Sequence, residues 1–283
     1  MLEKLKSHLD DLITLLFEIG DYQLKNQGSV QTQSKSSNKG IEEAWLGNEV
    51  FSEVDLESER RLIEFFNSHF HSDEFSFITE EYHSKNSTNS KYYVVIDPLD
   101  GTKPYLKGEK TFGISLGICT EGEFLFGCNY YPAFNQLIYA FYDIDGVYNQ
   151  YHKRIDSPKS WESNCSVTSQ FSYLLKDYSA MENFIESELG LTFVVVPDCA
   201  IYRFKLMLEG FLAAYFSDNI FIWDIGPSSL LMDKVGIDMV NPLNHLPVKV
   251  GDLLTPPFRQ SVFLAAPKNE LGTICSKFRK FFG

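Results

Sequence analysis

Nowhere in this chain do apolar residues run unbroken for the roughly 20 positions that a membrane-spanning helix needs, although 44% of the residues are hydrophobic. The opening Met1-Leu2-Glu3-Lys4-Leu5-Lys6 contains no apolar signal core, which points away from secretion and towards the cytoplasm. The five cysteines, Cys119, Cys128, Cys165, Cys199 and Cys275, are scattered, odd in number and without a Cys-x-x-Cys pair. A zinc ribbon and a disulfide framework are both disfavoured, and reduced thiols are expected. Basic residues are scarce as well: 25 Lys and Arg stand against 38 Asp and Glu, a formal charge of −13. Counterion release from a nucleic-acid polymer needs a basic surface, so such a partner is disfavoured, whereas a small anionic substrate is not. There is no Ser-His-Asp or Cys-His pattern. Among the six histidines, His8 and His152 read as solvated, and His69, His71, His83 and His245 have no metal-ligand spacing.

What is present is enough for a large core: 283 residues, 15% of them aromatic, suffice for one large domain or two smaller ones sharing an interface. Leu2, Leu5, Leu9, Leu12, Ile13, Leu16, Phe17 and Gly20 recur at helical spacing and predict one amphipathic opening helix. From Asn26 to about Ala44 a Ser-, Lys-, Gln- and Asn-rich stretch reads as a loop. A helix is expected from about Asp55, then strands at Phe75 to Ile78 and Tyr92 to Ile96. Phe112, Ile114, Leu116 and Ile118 alternate with Gly113, Ser115 and Gly117, a strand with one apolar and one small face. Strands at Phe124 to Tyr130 and Leu137 to Tyr142 complete a mainly antiparallel first half. A boundary is expected between Tyr151 and Asn164, dividing the chain into residues 1–150 and 151–283. The second half alternates: a buried strand at Phe193 to Val196, a helix at Tyr202 to Leu212, a strand at Ala213 to Phe216 and a helix from Ser228. That order predicts a layered α/β unit.

The most informative segment is Asp97-Pro98-Leu99-Asp100-Gly101-Thr102, directly after the apolar run that ends at Ile96. Pro98 fixes φ and removes a donor, Gly101 lets a backbone approach a ligand, and Thr102 can open a helix whose N–H groups face an anion. Asp97 and Asp100 are hard oxygen donors of the kind Mg²⁺ takes. Taken alone, the segment reads more readily as an ordinary strand-to-turn connection, since Asp and Gly are common turn formers.

Three more acids stand where a strand ends or a helix starts: Asp55, Glu80 in Thr79-Glu80-Glu81, and Asp224 in Ile222-Trp223-Asp224-Ile225-Gly226. Each has a plain structural role open to it, Asp55 and Asp224 as helix caps worth about 1 kcal/mol. The series in chain order resembles the inositol monophosphatase superfamily of magnesium-dependent, lithium-sensitive sugar-phosphate phosphatases, over nearly the whole chain. The resemblance implies an αβαβα sandwich and two or three Mg²⁺ ions. It assigns Glu80, Asp97 and the Leu99 carbonyl to one ion and Asp97, Asp100 and Asp224 to a second, with Glu80 helping to hold a third. It also implies that Asp55 and Thr102 orient the attacking water and that the Gly101 and Thr102 N–H groups hold the phosphate. Homodimers are common in this superfamily.

The second half departs from the pattern. Asp198-Cys199-Ala200 stands where Gly-Ser before a helix is common, and Ser217, with Asp218 beside it, stands where a glutamate contacts the inositol ring in inositol monophosphatases. Thr102-Lys103-Pro104, with Arg203 further on, resembles the bisphosphate nucleotidase branch, while Lys35-Ser36-Ser37 resembles the inositol monophosphatase branch. The expected function is a Mg²⁺-dependent phosphomonoesterase acting on a small phosphate ester, inositol monophosphate-like or a 3′,5′-bisphosphate nucleotide. A degenerate phosphatase fold serving as a binding or regulatory module, and a two-metal nuclease, are the alternatives; the negative charge counts against the nuclease.

Overall fold

Tyr93 and Val95 face one side of their strand and Val94 and Ile96 the other, and each side is buried against a different layer. A strand covered on both faces has no solvent side to mark with polar residues, hence its unbroken apolar run. The computed structural model describes all residues except 29–31, 35–49, 82–89, 159–160, 168–177, 218, 256–257, 261 and 283. Lys35-Ser36-Ser37, His83 and Asp218 therefore lie outside the described residues; of the polar stretch, Thr32–Ser34 is described, paired antiparallel with Val50–Ser52.

Among the described residues the first sheet has seven strands, in the order Phe75–Thr79, Tyr92–Asp100, Gly113–Cys119, Phe124–Tyr131, Gln136–Phe141, Val147–Asn149 and Arg154–Ile155. The first pair is parallel and the rest are antiparallel. Its outer face carries Val94, Ile96, Ile114, Leu116 and Phe126, packed on the helices Leu2–Ser7, Leu9–Asn26 and Glu53–His69. A second sheet runs Thr192–Val194, Asn164–Val167, Ala214–Ser217, Phe263–Pro267, Ile237–Val240, parallel across its first three strands and antiparallel after them. The helices Tyr178–Phe184 and Leu271–Phe282 cover its far face through Met181, Phe184, Ile274 and Phe278. Between the sheets lie the helices Ala200–Leu208 and Ile222–Asp233, whose Ile201, Phe204, Trp223 and Leu231 share one core with Tyr93, Val95, Tyr215 and Phe263. The result is the expected αβαβα sandwich.

The small face of the central strands lets the inner helix come close. A Cβ on Gly127 would lie 2.1 Å from the Pro227 carbonyl oxygen and one on Gly117 3.0 Å from Pro227 Cγ. Beside them the Asn129 side-chain amide donates to Ser228 Oγ at 2.8 Å. Gly117, Gly127 and Asn129 thereby seat Ile222–Asp233 against the first sheet, and with it Asp224.

Several local expectations are corrected. The opening helix is two: Leu2–Ser7 ends and Leu9–Asn26 begins at His8, whose backbone (φ −112, ψ 16) leaves the helix although no Gly or Pro is present. Phe193 to Val196 is not a buried strand; Thr192–Val194 lies at the sheet edge and Val195 is 78% exposed. An apolar run reports propensity for a strand but not whether both its faces find cover. The helix expected from Ser228 starts at Ile222, so Trp223-Asp224 lies in its first turn and Pro227 inside it. Among the described residues no helix is long and apolar enough to cross a membrane.

Candidate active site

On a regular strand Asp97 and Asp100, an odd number of positions apart, would point to opposite faces. They do not, because Asp97 pairs with Ser115 while Asp100 pairs with Gly113, so one extra residue is bulged out at Pro98-Leu99. Proline suits the bulge because it has no ladder donor to lose. The bulge turns both carboxylates towards the inner layer. Asp97 Oδ1 accepts the Leu99 N–H at 3.0 Å, which fixes the turn from within. Gly101 follows at φ 88, a left-handed conformation in which a Cβ would also lie 2.7 Å from the Thr111 carbonyl oxygen. Thr102 then opens the short helix Thr102–Leu106.

Asp55 and Asp224 share a device. Neither is the N-cap of its helix; each is the third residue in, and each accepts the N–H of the residue before the helix with Oδ2, from Ser52 at 2.9 Å and from Phe221 at 3.1 Å. Asp55 Oδ2 also takes the Ser52 hydroxyl. With Oδ2 held by the cap, Asp55 Oδ1 accepts the Thr102 hydroxyl at 3.1 Å, which lies equally close to the Leu99 carbonyl. One oxygen from each of Asp97, Asp100 and Asp224 lies within 4.8 Å of the others. Glu80, whose N–H donates to the Ile96 carbonyl at 3.2 Å, lines the same cleft with Leu99, Gly101, Thr102 and Arg203.

The remaining pocket residues divide. Arg203 reaches the cleft, but at 1% exposure its guanidinium is spent on the wall: Nε donates to Ser166 Oγ at 3.3 Å, Nη2 to the Val196 carbonyl at 3.1 Å, and Asp198 lies 3.8 Å from Nη1. It also lies over the Tyr215 ring. Ser217 is not on the cleft; it is buried and its hydroxyl bonds the Asn219 carbonyl at 3.0 Å, so Asn219 and Ile220 form that wall instead. Asp100 Oδ2 is gripped by the second half, accepting the Ile201 N–H at 2.6 Å with Cys199 Sγ at 3.4 Å.

Two bracing residues escaped the sequence. Gln23, buried in the Leu9–Asn26 helix, donates to the Pro98 carbonyl at 2.8 Å and to Ser58 Oγ at 3.2 Å, while the Tyr105 hydroxyl bonds its carbonyl at 2.7 Å. Glu59, one turn beyond Asp55, accepts from the Thr79 hydroxyl at 3.0 Å and the Glu81 N–H at 3.2 Å, tethering the segment that carries Glu80. Thr79 thus has a partner of its own. A polar residue on the face marked by Leu12, Leu16 and Ile19 was the available signal for Gln23.

Burial and mutual repulsion push these acids up. Asp55 is raised to about 7, chiefly by burial and then by the Glu80 charge, against the Ser52 and Thr102 hydrogen bonds. Asp100 is raised to about 6 by burial against the Ile201 and Ala200 N–H groups, and Asp97 is held well above 3.8 by burial and then by Glu80, Asp100 and Asp224. Above pH 4 the unfolded chain has released protons that the folded, metal-free protein still holds, so stability falls as pH rises through 6 to 7. The slope is at most about 1.4 kcal/mol per pH unit for each group. Glu57, held down to about 2 by Arg60 and Arg61, titrates below that window. Denaturation midpoints of chelator-treated protein are therefore expected to be lower at pH 8 than at pH 5.5, and added Mg²⁺ to raise the pH 8 value more.

A fructose-1,6-bisphosphatase/inositol-1-monophosphatase of Aquifex aeolicus is 26% identical over 243 residues, covering 83% of this chain and 86% of that protein. A Nus factor SuhB of Pasteurella multocida is 25% identical over 201 residues, 67% of this chain and 70% of its own. Among solved structures, the Thermotoga maritima IMPase has the same fold, with a TM-score of 0.76 over 97% of this chain and 98% of that one at 20% identity. The model of the inositol monophosphatase family matches residues 18–280, and the chain belongs to that family.

Proposed function

We propose that the protein is a Mg²⁺-dependent phosphomonoesterase acting on a small phosphate ester. The observation that carries this reading is the meeting of Asp97, Asp100 and Asp224, two from the first half and one from the second, with an oxygen of each within 4.8 Å of the others. Three carboxylates so close, with Glu80 beside them, call for a cation, and an all-oxygen donor set completed by the Leu99 carbonyl fits Mg²⁺. Glu80, Asp97 and Leu99 would hold one ion and Asp97, Asp100 and Asp224 another, with Glu80 sharing a third. Bound there, Mg²⁺ supplies charge stabilisation of the phosphoryl oxygens and makes water a stronger acid.

The chain's own residues do the rest. Asp55 Oδ1 and Thr102 Oγ1 form a pair that can hold a water and take its proton. The Gly101 and Thr102 N–H groups receive the phosphate at the start of their helix, and Gln23 and Glu59 keep this turn and Glu80 from drifting. In this division residues 1–150 carry the phosphate chemistry, while residues 151–283 contribute Asp224, the grip on Asp100 and the wall of Asp198, Arg203, Tyr215 and Asn219. That wall bounds the alcohol part of the substrate.

The test is phosphate release from inositol 1-phosphate, fructose 1,6-bisphosphate and adenosine 3′,5′-bisphosphate, with Mg²⁺ and with a chelator. Metal-dependent release from at least one is expected. No release from any would favour the second reading, a regulatory module, which the name of the Pasteurella multocida relative supports.

A further inference from the structure

We propose that His8, Asp11 and His69 form a second metal site, remote from the cleft and suited to a borderline transition ion such as Zn²⁺ rather than to Mg²⁺. One ligand atom from each of the three lies within 4.8 Å of the others. The two histidines are far apart in the chain and meet where the last turn of Glu53–His69 passes the break between the two opening helices.

The hydrogen bonds prepare the rings. His69 Nδ1 lies 2.8 Å from the Phe65 carbonyl, and a carbonyl only accepts, so Nδ1 carries the hydrogen and the neutral ring keeps its lone pair on Nε2. A backbone carbonyl behind the distal nitrogen is what orients metal-binding histidines and raises their basicity. The His69 ring is further fixed by stacking on Phe65 at 4.3 Å. His8 meets its edge, ring centroids 4.6 Å apart at 64°. Asp11 Oδ2 lies 3.2 Å from His8 Nδ1, the restart of the helix having put residues 8 and 11 on one side. Asp10, the neighbouring acid, is turned away to His152 at 2.9 Å.

Two imidazoles and one carboxylate are a donor set that Zn²⁺, Ni²⁺ or Cu²⁺ takes readily and Mg²⁺ does not, with a further position left for solvent. The break at His8, which no glycine or proline requires, gains a purpose: it swings the ring onto His69. An ion there would tie both opening helices to Glu53–His69. These are the helices that carry Gln23, Asp55 and Glu59, so the clamp would stiffen the layer behind the cleft without touching the reacting groups.

The test titrates Zn²⁺ into the full-length protein under saturating Mg²⁺, following heat of binding, the thermal midpoint and the imidazole proton resonances. One Zn²⁺ per chain is expected to bind in the parent and in Asp97→Asn alike, raising the midpoint by roughly 5 °C and shifting the resonances of two histidines. Affinity should fall more than about tenfold in His8→Gln and in His69→Ala, with Mg²⁺-dependent phosphate release unchanged. Unshifted histidine resonances in the parent, or Zn²⁺ bound as tightly by both variants, would overturn the proposal. The parent spectrum decides even if His69→Ala fails to fold.

Discussion

Asp97→Asn should lower turnover by about a thousandfold while leaving the fold intact. The expectation rests on position: Asp97 is buried among the acids, and the charges of Glu80, Asp100 and Asp224 all act on it. Asparagine keeps an oxygen for the Leu99 N–H, so the bulged turn survives. Its other end becomes an NH₂ donor aimed where a cation should sit. Charge stabilisation by a bound ion is worth several kcal/mol, and about 1.4 kcal/mol is a factor of ten in rate. The same change should make the metal-free protein more stable at pH 8, because it removes a charge whose burial is opposed by three neighbours. Phosphate release and thermal midpoints, each measured with and without Mg²⁺, check both halves. A variant as active as the parent would sink the proposed chemistry; one merely unfolded would show no stable metal-free state.

The second large effect is expected from Asp55→Asn. Asp55 is wholly buried, with Oδ2 committed to Ser52 and Oδ1 to Thr102. Asparagine can turn its oxygen to Ser52 and preserve the cap, which leaves an NH₂ towards Thr102. The threonine hydroxyl then becomes an acceptor from residue 55 and a donor to the Leu99 carbonyl, and residue 55 can no longer take a proton. A loss of 10²- to 10⁴-fold in kcat, the usual worth of a positioned base, should follow with Mg²⁺ affinity nearly unchanged. That split separates the two variants: Asp97→Asn weakens the metal response, Asp55→Asn does not. If Asp55 served only as part of the cap, Asp55→Asn would spare both stability and kcat, because asparagine keeps the capping oxygen.

Much of the architecture was legible in the residues because it is written in short-range periodicity. The alternation of Ile114, Leu116 and Ile118 with Gly113, Ser115 and Gly117 announced a strand with a small face, and that face is where Pro227 and Ser228 pack. The chain order of the acids announced the family. Less legible was what depends on a single extra residue: no spacing rule shows that a bulge at Pro98-Leu99 turns Asp97 and Asp100 to one side. Ser217 illustrates the same limit. Its register matched a ring-contacting position, yet its hydroxyl turns back into its own loop and Asn219 forms the wall.

The histidines mark the boundary most clearly. His8 reads as solvated and His69 has no ligand spacing along the chain, yet they meet because two helices cross with a break at the crossing point. Gln23 and Glu59 reach the turn and the Glu80 segment in the same way, across layers. By itself the sequence determined the main strands of the first half, several of the helices, which acids stand near their ends, and so the family, since these follow from contacts a few residues apart. Only the tertiary structure decided which of those acids share one point in space, which cations are spent inside the wall, and which histidines touch. Such distances are set by how whole layers pack, a sum of burial over the entire chain that no local pattern contains.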